Sequence, residues 1–520
     1  MTGQFQYVIG MDCGTTNIKA VVLGEDGRVI AEASRPNRFL SPGHMMHEQN
    51  AEDWWRNAAE IFQTLTKQIG PGAARRVRGV CVSSHTVTLL PVNAAGTPLR
   101  PAMTYQDGRS ARELEEILDT VGRERFIRIV GGQPSVAFLP SKLLWYARHE
   151  PALFAQTAAF LQASSYINFK LTGVMCTDID QALRTQCMDM ETQRWSEEIA
   201  SALGMEFSRY MPPVAPAEEI IGTVSAQAAA ETGLAEGTRV LNGCSDAMAA
   251  MVATGMSRLG EAGESSGTTS LVFVGSAVHS APDVPVVARP SVIPGIPWLF
   301  DAPIQSTGAA IKWLIDKLAA EERAAAAERG SNIYDYLNEL ALRAVPGSHG
   351  LFFFPYLLGE RAPLWNNYSR GMFIGMRMDM KRSELVRSVF EGTAYALRHV
   401  IETVRASGGE AELLRVCGGG AKSHAWNRIK ASVLHMPVHV LSAESGDVPV
   451  GDALLAGLAT GVFADLGETV QKVVRVAKVV EPDPEWVRYY DSLYPYYLEM
   501  YGHLDGDLMR LQQTLRALYP

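Results

Sequence analysis

A Gly-Thr-Thr turn set against a β-rich stretch occurs twice in this chain. It is Gly14-Thr15-Thr16 in "MDCGTTNIKAVVLG" and Gly267-Thr268-Thr269 in "GESSGTTSLVFVG", 253 residues apart. Each copy lies near the start of one half of the chain, so the spacing predicts two related domains, 1–255 and 256–520, with the boundary near Gly255–Gly260. A tripeptide alone is a weak repeat; the strands around it give it weight. A length of 520 residues exceeds one ordinary hydrophobic core and asks for the same division.

Residues 7–35 read as strand, turn, strand, turn, strand, with an Asp-Gly turn in "GEDGRVI". Asn50 then starts a helix in "NAEDWWRNAAEIFQTL", "VRGVCVSS" is a buried strand, and "RSARELEEILDTVG" is a polar-faced helix. Strands alternating with helices predict an α/β fold. "LAAEERAAAAERG" reads as a solvated helix, and "PEWVRYYDSLYPYYLEMYGHL" as a closing amphipathic helix whose aromatics serve the core.

Composition narrows the function. An apolar share of 47% with 20% charged residues is globular, and a formal charge of −9 disfavours nucleic acid or acidic lipid as the main partner. The six cysteines are scattered without a CxxC pair, which suits a reducing compartment and speaks against zinc. The N-terminal stretch has no signal-peptide pattern and no apolar run reaches membrane-spanning length, so a cytoplasmic protein is expected. The oligomeric state stays open, a homodimer included.

Glycine and hydroxyl residues in a turn between strands let backbone amides approach phosphate closely. Gly14-Thr15-Thr16 could be only a β-turn, but Asp12 precedes it and Lys19 follows. An Asp ending the first strand can hold Mg²⁺ through water while the turn, with Thr15 and Thr16, holds phosphate. No P-loop GxxxxGK[ST] is present, and no GxGxxG follows a strand. A third cluster, Gly418-Gly419-Gly420, stands between a strand and a helix in "LRVCGGGAKSHAWNRIKASVL". Three such loops predict an ATP cleft of the actin/hexokinase kind.

Asp246 in "VLNGCSDAMAAMVATG" is the one acid in a run of small and apolar residues. Two readings stand side by side: a helix N-cap, and a general base at the mouth of a helix.

With these motifs in their order, the chain resembles the FGGY carbohydrate kinases from about residue 7 to about residue 500. "GMFIGMRMDMKRSELVRSVFE" matches the family's second signature, and "KLLWYARHEP" resembles the first, departing at Tyr146 and before Lys142. "DCGTTNIK", "YQDGRS", "GCSDAMAAMVATG", "GERAPLWN" and "GGGAKSHAWNRIKA" follow in family order. The resemblance implies two ribonuclease-H-like domains flanking a cleft that takes ATP, Mg²⁺ and a small sugar. It places Asp246 at the catalytic base. It puts Gly267, Thr268, Gly308, Lys312, Gly419 and Gly420 beside the nucleotide, although Lys312 could be a plain surface lysine of its helix. It puts Ser84, His85, Asp107 and Arg109 on the sugar side. Arg109 could instead brace Asp107 or Asp246. Ser83 and Ser84 stand where xylulokinases have Gln-Met, so a roomier, more polar pocket edge is expected there. "KLLWYARHEPALF" and His85 lean towards D-xylulose as substrate, whereas "GERAPLWNNYSRGMF" and "GCSD" are similar to gluconokinases. A non-enzymatic actin-like or sugar-sensing protein is the alternative from another class. With the first strand read as starting at Tyr7, a helix-turn-helix of the kind that sugar-sensing repressors carry is not expected.

Overall fold

The computed structural model describes residues 5–518 except 71, 280–284, 287 and 443–444. The stretch read for a signal peptide therefore begins in residues outside the described set. Two compact units emerge. The first comprises residues 1–253, 290–294 and 447–473, the second 254–289, 295–446 and 474–520.

The first unit is built on strands β1 (Tyr7–Cys13), β2 (Asn17–Gly24), β3 (Val29–Pro36), β4 (Val77–Ser84), β5 (Ile220–Thr223) and β6 (Arg239–Leu241). They form one sheet in the order β3-β2-β1-β4-β6-β5. β1 runs antiparallel to β2 and parallel to β4, β4 is parallel to β6, and β5 is antiparallel to β6. β1 and β4 are buried almost throughout, which explains why both read as near-continuous apolar runs. The helix Ala51–Gln68 buries Trp54, Trp55, Ala58, Ile61, Phe62 and Leu65, the three-and-four spacing of one apolar face. Its first turn is capped by Asn50, whose side chain accepts from the Glu52 amide.

The second unit repeats the plan with β7 (Gly260–Ser266), β8 (Ser270–Ser276), β9 (Ala288–Pro290), β10 (Trp298–Ile304), β11 (Ala411–Cys417), β12 (Val438–Leu441) and β13 (Val476–Val480). Apart from the edge strand β9, its sheet runs β10-β8-β7-β11-β12-β13. Strand directions match those of the first sheet pair for pair. The two Gly-Thr-Thr turns fall at equivalent points, between β1 and β2 and between β7 and β8. The tripeptide echo thus marks a repeat of the whole sheet, as two ribonuclease-H-like domains require. The closing helix, Pro484–Leu518, buries Trp486, Tyr490, Tyr494, Tyr497 and Tyr501 in the second unit's core.

One segment departs from a simple cut at residue 255. The helix Val448–Thr460 belongs to the first unit. It lies so close to the sheet that a Cβ on Gly10 would stand 1.9 Å from the Pro449 carbonyl oxygen. Sequence order assigned this helix to the second half because contacts more than 400 residues apart leave no local pattern.

Candidate active site

In the first unit, three parallel strands end side by side. Asp12 and Cys13 of β1 are in register with Ser83 and Ser84 of β4, and Ser84 bridges Ser245, the residue before Asp246. The carboxyl ends of parallel strands are where open α/β sheets take ligands.

From Val240 to Met256 every residue is buried except Asp246, which is partly exposed. The helix it opens runs Asp246–Ala253. The cap itself falls one residue earlier. Ser245 Oγ accepts from the Met248 amide at 3.2 Å and donates to the buried Asp180, which Arg184 holds at 2.9 and 3.0 Å. Asp246 Oδ1 accepts from the adjacent Ala247 amide at 2.7 Å. Ser245 therefore does the capping work that the sequence had offered to Asp246.

Asp12 shares this end of the sheet. Burial, and then the Asp246 and Asp447 carboxylates, push its carboxyl well above the usual carboxylate range, while Lys19 pulls the other way. Its Oδ1 is buried without a hydrogen-bond partner among the described residues. A carboxylate so placed fits a cation. The described residues offer no cluster of three or more His, Cys, Asp or Glu able to hold a metal unaided. A magnesium ion there would take most of its ligands from water and phosphate. Lys19, exposed, pairs with Asp447 at 3.5 Å.

The raised proton affinity has a consequence for stability. Because Asp12 holds its proton more tightly folded than unfolded, it subtracts from stability as pH climbs above the ordinary value of 3.8. Without Mg²⁺, Asp12→Asn is expected to raise the melting temperature, and by more at pH 8 than at pH 5. A lower melting temperature at pH 8 in differential scanning fluorimetry would contradict this.

The turn beside Asp12 is ordered through its carbonyls. Asn37 donates to Gly14 O and Thr16 O, and Gln49 Nε2 donates to Thr15 O. The amides of Thr15 and Thr16 have no acceptor among the described residues. Such a turn presents N–H groups to an anion.

His85 is buried, and its Nδ1 lies 2.8 Å from Cys13 O. A carbonyl only accepts, so Nδ1 carries the proton. Burial lowers the ring's proton affinity, which leaves Nε2 with a lone pair, and Nε2 has no partner among the described residues. It is an acceptor waiting for a hydroxyl.

Ser83 and Ser84 do not line an open edge. Both are fully buried; Ser83 Oγ donates to Asp452 at 2.7 Å and Ser84 Oγ to Ser164 at 3.1 Å. The expectation of a roomier pocket edge is thereby corrected: these hydroxyls find their partners within the protein, on opposite faces of β4.

Asp107 and Arg109 form a closed unit. Arg109 Nε and Nη2 reach the two Asp107 oxygens at 2.9 and 2.7 Å. The backbone amides of Arg109 and His47 complete four hydrogen bonds to that carboxylate. Arg109 Nη2 also reaches Glu48 at 2.5 Å, and the guanidinium lies 5.0 Å from the Trp145 ring centroid. Burial alone would weaken Arg109's hold on its proton, but Asp107 and Glu48 outweigh it. Nearby Lys142 is fully buried and donates to Ala137 O at 2.6 Å. Burial lowers its amine to about 7.

In the second unit, three glycine loops converge. Gly308 backs onto the Gly-Thr-Thr turn so tightly that a Cβ there would stand 2.2 Å from Gly267 O, and the Ala309 amide donates to Thr268 O at 2.8 Å. A Cβ on Gly420 would stand 2.2 Å from Ser266 Oγ. Gly419, by contrast, has open space where a Cβ would be. Lys312 is exposed on the helix Gly308–Lys317 and paired with Asp316 at 2.5 Å.

Several residues at both ends escaped the sequence reading: Gln49, Asn37 and Glu48 in the first unit, and Glu264 and Lys430 in the second. Glu264 was the most visible of them, an acid inside a strand of small residues next to the second turn.

Comparison with known proteins gives the family. Residues 7–253 match the FGGY family of carbohydrate kinases, N-terminal domain, and residues 264–460 match its C-terminal domain. The chain belongs to the FGGY family of carbohydrate kinases, enzymes that transfer phosphate from ATP to a sugar. Xylulose kinase of Bacillus subtilis (strain 168) is 27% identical over 96% of this chain and 97% of its own length. Gluconokinase of the same organism is 26% identical over 98% and 99%. The crystal structure of xylulose kinase from Rhodospirillum rubrum superposes with a TM-score of 0.87 at 30% identity, covering 97% of this chain and 100% of that one. Among the described residues no helix is long and apolar enough to cross a membrane.

Proposed function

We propose that this kinase phosphorylates D-xylulose at its terminal hydroxyl to give D-xylulose 5-phosphate, with Asp246 as general base. The observation that carries the choice of a neutral sugar is the state of Arg109. Its charge is already met by Asp107 and Glu48, and Lys142 is buried with its proton affinity lowered to about 7. A sugar acid would need an uncommitted cation for its carboxylate, whereas a ketose needs hydroxyl partners such as His85 Nε2. Gluconate is the second reading, favoured by the near-equal similarity to the Bacillus gluconokinase.

In this reading Asp246 accepts the proton of the attacking hydroxyl as its oxygen bonds to the γ-phosphorus and ADP departs. Phosphoryl transfer asks the protein mainly for position and charge neutralisation. The Thr15–Thr16 amides and Lys19 meet phosphate from the first unit. Gly267, Thr268, Gly308, Gly419 and Gly420 hold the nucleotide in the second. Mg²⁺, held near Asp12 through water, would neutralise phosphate charge. Asp107 and Arg109 keep the wall behind the sugar in place, and Ser84, bonded to Ser164, steadies the strand end before His85.

The test is a coupled assay with ATP and Mg²⁺ across pentuloses, gluconate and polyols. D-xylulose is expected to give the highest kcat/KM. A far higher value for gluconate would reverse the substrate choice and leave the kinase assignment standing.

A further inference from the structure

Beneath the three glycine loops of the second unit lies a buried ion pair. Lys430 Nζ meets Glu264 Oε1 and Oε2 at 2.9 and 2.7 Å, and each residue is 1% exposed. Glu264 sits in β7 three residues before Gly267. Its Oε1 also accepts from Ser270 Oγ at 2.7 Å, on the far side of the same turn. Ser270 Oγ lies 2.9 Å from Thr307 Oγ1, and Thr307 is the N-cap position of the helix that Gly308 opens. Lys430 Nζ stands 3.9 Å from the Trp426 ring centroid, and that ring closes the space beside Gly420. One connected group therefore touches the Gly-Thr-Thr turn, the Gly308 helix start and the Gly418–Gly420 loop.

Stability alone is a weak reason to keep such a pair. Two charges taken from water lose solvation that their attraction barely repays, and well-packed apolar residues in their place are often neutral or better. An arrangement fixed in direction as well as distance is what a pair of this kind provides and a Leu–Leu contact does not. We propose that Glu264 and Lys430 are positioning residues for ATP, setting the spacing of the three loops without touching the nucleotide. This rests on the reading of those loops as the nucleotide site.

The experiment compares wild type with the double variant E264L/K430L, in which no charge is left unpaired, and with Thr307→Val, which cuts the link to the Gly308 helix. A tenfold change in affinity corresponds to about 1.4 kcal/mol. The expected result for the double variant is a melting temperature at or above that of wild type. Amide hydrogen exchange at 267–269, 308–309 and 418–420 in the nucleotide-free protein should rise about tenfold, and KM for ATP should rise similarly. KM for the sugar should move less than threefold, and Thr307→Val should shift KM for ATP in the same direction by less. Unchanged exchange in the loops would show a pair that only fills space and would overturn the proposal. Loosened loops with an unchanged KM for ATP would overturn it too, and would point instead at the nucleotide reading of the loops as the part that failed.

Discussion

Asp246→Asn is expected to lower kcat by about 10²–10⁴-fold, the usual contribution of a positioned general base, with little change in KM for ATP or sugar. The substitution separates the two readings of this residue. Asn caps a helix about as well as Asp, so a carboxylate kept only for capping could be exchanged without effect. Capping is in any case assigned to Ser245, whose hydroxyl receives the Met248 amide. The melting temperature should therefore hold in Asp246→Asn, while Ser245→Ala, which removes both the cap and the hydrogen bond to the buried Asp180, should lose about 2–4 kcal/mol with the base still present. Turnover near wild type in Asp246→Asn would remove Asp246 from the chemistry.

The second large effect is on stability. Arg109→Leu deletes the guanidinium that grips Asp107 and Glu48, leaving Asp107 fully buried with two backbone amides for company. Breaking a buried pair by removing one partner costs about 3–5 kcal/mol. Arg109→Lys keeps the charge but cannot reproduce the fork, so an intermediate loss is expected. Urea unfolding measures both. A loss below about 1 kcal/mol in Arg109→Leu would mean that the carboxylates find other partners. The substitution is not expected to switch the enzyme between D-xylulose and gluconate, because Arg109 offers little uncommitted charge to either.

What was legible in the sequence follows from how far apart the partners are. The two sheets could be read because a Gly-Thr-Thr turn between β strands is a local pattern, written twice. The closing helix could be read because Trp486, Tyr490, Tyr494, Tyr497 and Tyr501 keep helical spacing. Arg109 bracing Asp107 was visible as one option, since the two are neighbours in the chain. Glu48, which completes that brace, lies 61 residues away and leaves no trace in the motif. Ser83 meeting Asp452 across 369 residues is more remote still. The pocket edge built on free serine hydroxyls failed for that reason. The Asp246 stretch was singled out rightly as unusual, but its cap was misplaced by one residue, since Ser and Asp are both good caps and only the hydrogen-bond direction separates them.

Transfer of the γ-phosphate of ATP onto a sugar with Asp246 as the base is the step on which the proposed function stands or falls. Phosphorus NMR of ATP, Mg²⁺ and D-xylulose with wild type and with Asp246→Asn follows that phosphate directly. A sugar phosphomonoester signal growing in step with ADP is expected in wild type, and almost none over the same period in Asp246→Asn. Equal phosphomonoester growth in both, or inorganic phosphate as the sole product of wild type, would contradict it.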